Sequence, residues 1–230
     1  GDRYRGANYI DIDSDFLSNT DSSLFDVTQG LPINPLSLPI DPYTGNCAGP
    51  QMVNQMYLLK EIFKKVFTLG PQQASDLKNG IQAAYHDFGI RSNTPIIDEN
   101  ARLPSFSDVY NHISDNQRLL NRIEAIFDLD LFGNANFTMN RFLEGKNVLR
   151  FSQLPSEEIQ KVTSEIMLVS IYNALIKMGH YRGLRLAIFI DEAHKIANLE
   201  AVKKLFREAR KYGCAVFLSS QEARDFDETI

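Results

Sequence analysis

Leu186-Ala187-Ile188-Phe189-Ile190-Asp191-Glu192-Ala193-His194 is the stretch whose reading decides the fold. Five apolar residues in succession, followed at once by two adjacent carboxylates, read as a parallel strand that delivers Asp191 and Glu192 to its C-terminal end. In open α/β sheets that edge is where ligands bind. The run does not alternate apolar with polar residues, as a strand covered on both faces need not.

The flanking sequence carries the same pattern. Downstream, Asn198 is a good N-cap for a helix over 199–212, Gly213 ends that helix, and a second apolar run at 214–218 leads into Ser219-Ser220-Gln221. Upstream, 147–151 reads as a strand, and Pro155-Ser156-Glu157-Glu158 opens a long helix to about Met178, with both glutamates in the first turn where the helix dipole favours them. Strand, helix, strand, helix, strand from residue 147 onward is the pattern of a doubly wound α/β parallel sheet.

Further out the language changes. Between 50 and 130 the apolar spacing predicts four helices, at 50–69, 72–88, 105–113 and 117–129, with Gly70-Pro71 ending the first. The methionines and aromatics of this region read as core. Residues 1–50 hold short apolar islands: 9–12 and 24–27 each suit a brief strand. Gly30-Leu31-Pro32-Ile33-Asn34-Pro35-Leu36 reads as a rigid surface connection, because two prolines forbid a central strand. The predicted division is an N-terminal β/loop part of the core at 1–49, a helical insertion at 50–145, and an α/β core at 146–230.

Whole-chain numbers bound the function. At 230 residues and 43% apolar composition the chain can bury a genuine core. A formal charge of −5 argues against coating nucleic acid by bulk electrostatics, while leaving room for a locally basic pore. The two cysteines, Cys47 and Cys214, lack metal-ligand spacing and read as reduced thiols of a cytoplasmic protein. No apolar run is long enough to span a bilayer, so no membrane partner is expected. The chain opens on Gly1-Asp2 rather than Met, which reads as the interior of a longer protein.

An apolar strand ending in Asp-Glu is the form of a Walker B element, in which Asp191 holds a nucleotide's magnesium and Glu192 polarises the attacking water. An arbitrary Asp-Glu pair is a solvated turn. Here the neighbouring strand of like character ends in a polar residue, Gln221, which the topology brings to the same edge. The helix over 199–212 carries Lys203, Lys204, Arg207, Arg210 and Lys211. An ordinary solvated basic face accounts for the two lysines, whereas Arg207 and Arg210 are candidates to stabilise a transferring phosphoryl group from a neighbouring subunit. His194 has no partner at i+4 for a metal site, and Ser219-Ser220 lacks a nucleophile elbow. A phosphate cradle of the G-x-x-x-x-G-K-[ST] type is absent: Gly145-Lys146-Asn147 has Asn140 at the first glycine position and no hydroxyl after the lysine. These residues alone do not complete an ATP site.

Ile188 to His194, Leu205-Phe206-Arg207-Glu208-Ala209-Arg210-Lys211-Tyr212-Gly213 and Val216-Phe217-Leu218-Ser219-Ser220-Gln221 together resemble the HerA/FtsK superfamily of ring-forming, DNA-translocating P-loop ATPases. The Asn-Pro segment at 30–36 is similar to one those proteins carry after the second core strand, ahead of a helical insertion. The resemblance implies a RecA-like (P-loop NTPase) sheet that is incomplete here, with a helical subdomain inserted. It implies ATP and Mg2+ as cofactors, double-stranded DNA as substrate and a homo-oligomeric, hexameric ring. Asp191 would organise the magnesium, Glu192 would be the catalytic base, Gln221 the sensor, and Arg210, or failing it Arg207, the arginine finger in trans. The phosphate loop would precede Gly1, leaving this stretch alone inactive. Among relatives the pattern is reminiscent of HerA-like ATPases of DNA-defence and restriction systems, including those linked to phosphorothioate modification, which implies a nuclease or restriction-system partner. Two other readings share the residues: a DEAH-type helicase fragment, since Asp-Glu-Ala-His is present, and a catalytically inactive ATPase-fold scaffold.

Overall fold

Five parallel strands, β1 (Asn8–Ile12), β2 (Ser23–Phe25), β3 (Lys146–Leu149), β4 (Leu186–Ile190) and β5 (Cys214–Leu218), form one sheet in the order β2-β3-β1-β4-β5. Among the described residues the α-helices are α1 (Gly49–Val66), α2 (Pro71–Asp87), α3 (Phe106–Ile113), α4 (Gln117–Asp128), α5 (Met139–Leu143), α6 (Glu157–Met178) and α7 (Glu200–Glu208). The computed structural model describes residues 8–12, 23–25, 27–31, 33–39, 46–97, 101–132, 139–197 and 199–220. The chain divides into two units, one of Gly1–Gln29 with Asn136–Ile230 and the other of Gly30–Ala135.

In the first unit, β3-α6-β4-α7-β5 follows the predicted alternation, and every strand pair is parallel. The N-terminal strand β1 lies between β3 and β4, so β4 is an interior strand with Ile10 opposite Ile188 and Ile12 opposite Ile190. These four isoleucines share a face and are buried. The other face differs from expectation. Phe189 pairs in register with Phe217, their rings stack at 4.7 Å with a 9° interplanar angle, and they remain 40% and 51% exposed. LAIFI is therefore covered fully on one face only. Its uniform apolarity reflects an aromatic pair beside β5, the outermost strand among the described residues, rather than burial on both sides.

Helix α6 begins where Ser156 Oγ accepts the Ile159 amide at 3.3 Å and stops at Gly179. It is buried on nearly all sides through its middle, where Thr163, Ser164 and Glu165 are as hidden as Val162 and Ile166. The helix predicted over 199–212 is divided: α7 ends at Glu208, and Ala209–Tyr212 tighten into a 3-10 turn. Asn198, the predicted cap, lies outside the described residues. The strand predicted at 24–27 is Ser23–Phe25, and Val27–Gln29 form a 3-10 turn.

The second unit holds α1 to α4, at bounds within a few residues of those predicted. Gly70-Pro71 does more than end α1: Pro71 is the first residue of α2, and the Gly70 amide donates to Gln73 Oε1 at 3.1 Å. At α3, Ser105 Oγ accepts the Asp108 amide and Asp108 Oδ2 accepts the Ser105 amide at 2.7 Å, a reciprocal cap that holds the Asp108 carboxyl below its usual range. Asn116 Oδ1 caps α4 through the Leu119 amide at 3.1 Å.

The Asn-Pro segment is not the surface connection its prolines suggest. Leu31, Ile33, Pro35 and Leu36 are buried within this unit. A buried extended segment needs partners for its carbonyls. Gln55 Nε2 donates to Pro35 O at 2.7 Å, Tyr85 Oη donates to Leu36 O at 2.7 Å, and Asn34 turns the strap by accepting the Leu36 amide at 2.9 Å while donating to Pro104 O. Burial pushes the Tyr85 hydroxyl far above its usual range, so it donates at every physiological pH. Tyr85→Phe is expected to destabilise the fold by about 1–3 kcal/mol, because the Leu36 carbonyl stays buried without its donor. Urea unfolding measures this, and an unchanged midpoint would show that the strap is held by apolar packing alone.

Candidate nucleotide site and a separate basic cleft

The C-terminal edge of the sheet is drawn together by backbone hydrogen bonds that continue past the strands. The Asp191 amide donates to Ile12 O at 3.0 Å, the Ser219 amide to Ile190 O at 2.9 Å, and the Ala193 amide to Ser219 O at 2.8 Å. The ends of β1, β4 and β5 thus meet around Asp191 and Glu192, as the sequence predicted for β4 and β5. Both carboxylates are half-buried. Asp191 Oδ1 accepts the Glu192 amide at 3.0 Å, leaving its other oxygen outside that bond.

Glu192 adopts a left-handed conformation, with φ 49° and ψ 40°. For a residue with a Cβ this costs roughly 1–2 kcal/mol. The cost is met by the turn that follows: Ala193 is wholly buried, and its amide is committed to Ser219. His194 Nδ1 stands 3.7 Å from Glu192 Oε2, with both side chains more than a third exposed. The sequence did not single out this pairing. Gln221, the predicted sensor, lies outside the described residues.

Arg207 and Arg210 are not brought to these carboxylates. They line a cleft of about 790 Å³ together with Tyr181, Arg182, Leu184 and Lys211, at the N-terminal end of β5 where Cys214 and Ala215 complete the wall. Cys214 pairs with Leu186 at the start of β4, and Asp191 follows its end. The five residues of β4 separate the two places by roughly 15 Å at the usual strand rise. Within one chain these arginines and Asp191 belong to opposite ends of the sheet.

Several contacts the sequence did not disclose shape this basic cleft. Glu208 Oε2 accepts both the Tyr172 hydroxyl and Lys211 Nζ, each at 2.7 Å, tying the end of α7 to α6. The Lys211 bond first and the Tyr172 bond second hold the Glu208 carboxyl below its usual range; burial, and then Glu208, raise the Tyr172 hydroxyl. Arg185 stacks over the Tyr181 ring at 4.7 Å. Gly213 has φ 75°, and a Cβ there would stand 2.7 Å from both Gly183 O and the Tyr181 ring, so the glycine ending the Arg-Lys-Tyr-Gly segment is required for conformation and for space. Burial pushes the Cys214 thiol up to about 12, making it a core residue rather than a nucleophile.

A family model for the DNA-binding domain of type IV secretion-system coupling proteins matches residues 96–229, more than half of the chain. The chain belongs to that family. Its fold is similar to VirB4 of Thermoanaerobacter pseudethanolicus, with a TM-score of 0.65 and 16% identity over 98% of this chain and 65% of that one. It is also similar to the unbound monoclinic form of the bacterial conjugative coupling protein TrwBdeltaN70, with a TM-score of 0.51 and 12% identity over 96% of this chain and 57% of that one. At such identities the likeness speaks to the fold, which is α/β and RecA-like, as expected. The chain spans less than two thirds of either structure. No curated protein matches it. The coupling-protein family lies within the FtsK/HerA-type P-loop ATPases that the sequence resembles. These comparisons name a VirB4 and a conjugative coupling protein, and lend no support to the phosphorothioate-linked branch.

The Glu208 contacts make stability depend on pH. The folded pKa of Glu208 is depressed, so its contribution to stability is present above the unfolded value of about 4.3 and is lost as pH falls through the folded value. Glu208→Gln is accordingly expected to unfold earlier than the wild type at pH 7, with the two denaturation curves converging between about pH 5 and 3. A gap that stays constant across this range would remove the carboxylate's charge from the account.

Proposed function

We propose that this coupling-protein-family chain is part of an ATP-driven, DNA-translocating motor, with Asp191 on the magnesium side of the nucleotide and Glu192 as the base that polarises the attacking water. The observation that carries the reading is the strained turn itself. Glu192 is held left-handed at the C-terminal edge of an interior parallel strand, beside a half-buried aspartate, and strain of that kind gathers at functional sites.

The donor set suits magnesium. Two adjacent carboxylates open to solvent offer one or two hard oxygen ligands, and no group of three metal-ligating side chains occurs among the described residues. Magnesium in such sites keeps several waters and takes its remaining ligands from phosphates. Bound ATP with magnesium would supply the phosphoanhydride to be cleaved. Asp191 would hold the metal's water shell, and the Glu192 carboxylate would orient a water and accept its proton. Gln221, following β5, is the proposed sensor. In this reading the phosphate-cradling loop lies in sequence outside these 230 residues, the four helices α1 to α4 are an insertion in the core, and the cytoplasm is the setting that suits two unpaired cysteines.

The separation of Arg207 and Arg210 from Asp191 supports a shared site. An arginine at one end of the sheet cannot serve its own nucleotide, whereas in a closed ring it faces the neighbour's. We assign Arg210 as the finger, with Arg207 the alternative, in a hexamer that encircles double-stranded DNA.

In the full-length parent protein, Glu192→Gln is expected to retain ATP binding while hydrolysis falls by about 10²–10⁴-fold, read by equilibrium nucleotide binding and phosphate release. Turnover at the wild-type rate would remove Glu192 as the base. Mixing Glu192→Gln subunits with Arg210→Ala subunits is expected to restore part of the activity that each lacks alone. If no mixture recovers, and Arg207→Ala behaves likewise, catalysis across an interface is excluded.

A further inference from the structure

The helical unit contains a cavity that the motor reading does not use. It measures about 330 Å³ and lies between α3, α4 and the turn after α4. Its apolar wall is Phe106, Tyr110, Phe127 and Phe132, and its polar wall includes Asp128 and Asp130. Phe106 stacks on Phe127 at 5.1 Å and meets Phe132 edge-on at 5.4 Å, while Tyr110 tilts against Phe127 at 5.1 Å. Phe106 and Phe132 are buried, which leaves the half-buried Tyr110 and Phe127 rings at the opening.

The cavity is preformed. Asp130 adopts a left-handed conformation with φ 44°, which aspartate tolerates better than most residues, and so returns the chain at the end of α4. The Asp130 amide donates to Phe127 O at 3.0 Å, and Leu131 O accepts the Leu31 amide at 2.7 Å. Leu131 is wholly buried. The turn is therefore pinned on both sides of the two carboxylates.

Three features of this cavity favour a cation. Neither Asp128 nor Asp130 has an ion-pair partner among the described residues. Helix α4 ends at Asp128, so the negative end of its dipole falls at the same place. The aromatic faces attract positive charge through their quadrupoles. Nucleic acid is disfavoured, because two carboxylates repel phosphates. A guanidinium fits better than an ammonium: it is planar, stacks on rings and can bond two carboxylates at once.

We propose that this cleft binds an arginine side chain presented by a basic segment of a protein partner, with the guanidinium against Tyr110 and Phe127 and its N–H groups donating to Asp128 and Asp130. The site is a docking point separate from the Asp191–Glu192 edge, and it stands whether or not that edge hydrolyses ATP.

The test is a titration of the isotope-labelled 230-residue chain, followed by amide chemical shifts. The probe is a capped pentapeptide with one central arginine flanked by glycine and serine; the same peptide with citrulline, which keeps the shape and removes the charge, is the control. The arginine peptide is expected to shift amides of Tyr110, Asn111 and 128–132 saturably, and the citrulline peptide to bind at least about tenfold more weakly. Asp128→Asn with Asp130→Asn preserves the left-handed turn, since asparagine also tolerates it, and is expected to lose about the same factor; Tyr110→Leu is expected to weaken binding while the remaining spectrum is unchanged. Equal binding of the two peptides overturns the proposal without reliance on any variant. So do shifts scattered over other acidic surfaces, competition by a DNA duplex at the same amides, or self-association that the Asp variants abolish, which would make a second copy the occupant.

Discussion

The backbone ladder at the C-terminal edge of the sheet is the constraint on which the rest of the first unit depends. Strand β4 is hydrogen-bonded on both sides, and the bonds persist up to three residues beyond it through Asp191, Ala193 and Ser219. With those donors committed, the peptide between Asp191 and Ala193 has little freedom, and Glu192 takes the left-handed conformation that remains. A local penalty of roughly 1–2 kcal/mol is small beside the burial of Ile10, Ile12, Ile188 and Ile190 beneath it. The core thus holds a carboxylate in a geometry that a free turn would relax.

The same sheet separates charge of opposite sign. Carboxylates gather at the exit of β4, whereas Arg182, Arg207, Arg210 and Lys211 gather at the entry of β5, and a strand's length lies between them. Such a separation prevents the arginines from neutralising the carboxylates of their own chain. Glu208 takes up the charge of Lys211 and anchors the turn that carries Arg210, so one carboxylate in the cleft's own wall shapes the basic cleft.

Local chemistry was legible in the sequence wherever the deciding interactions are local. The apolar periodicity of α1 to α4, the start of α6 after Pro155, the Gly213 stop and the alternation from β3 to β5 all rest on contacts within a few residues, and the structure reproduces them, adding caps at Ser105, Asn116 and Ser156. Two misreadings share one cause. Apolar residues in LAIFI signal that side chains leave water, without saying which face they leave it by; Phe189 does so partly by stacking on Phe217 from the next strand. Prolines in the 30–36 segment signal exclusion from a central strand, which suggested a surface loop. Only the arrival of Gln55 and Tyr85 from two helices makes it a buried strap, because side chains distant in sequence supply the donors its carbonyls require.

The candidate site divides in the same way. Asp191 and Glu192 could be named from residue order alone, since an apolar strand that ends in two carboxylates must expose them at its exit. Their conformation could not, because a left-handed Glu192 follows from the pairing of β4 with β1 and β5, and β1 comes from a segment more than 170 residues earlier in the chain. The arginines were equally visible as residues, but only the register of Cys214 with Leu186 assigns them to the far end of the sheet. Periodicity and capping are written in neighbouring residues, so sequence determines the elements and their charges. Register and burial are long-range properties of paired backbones, and they decide which of those charges meet.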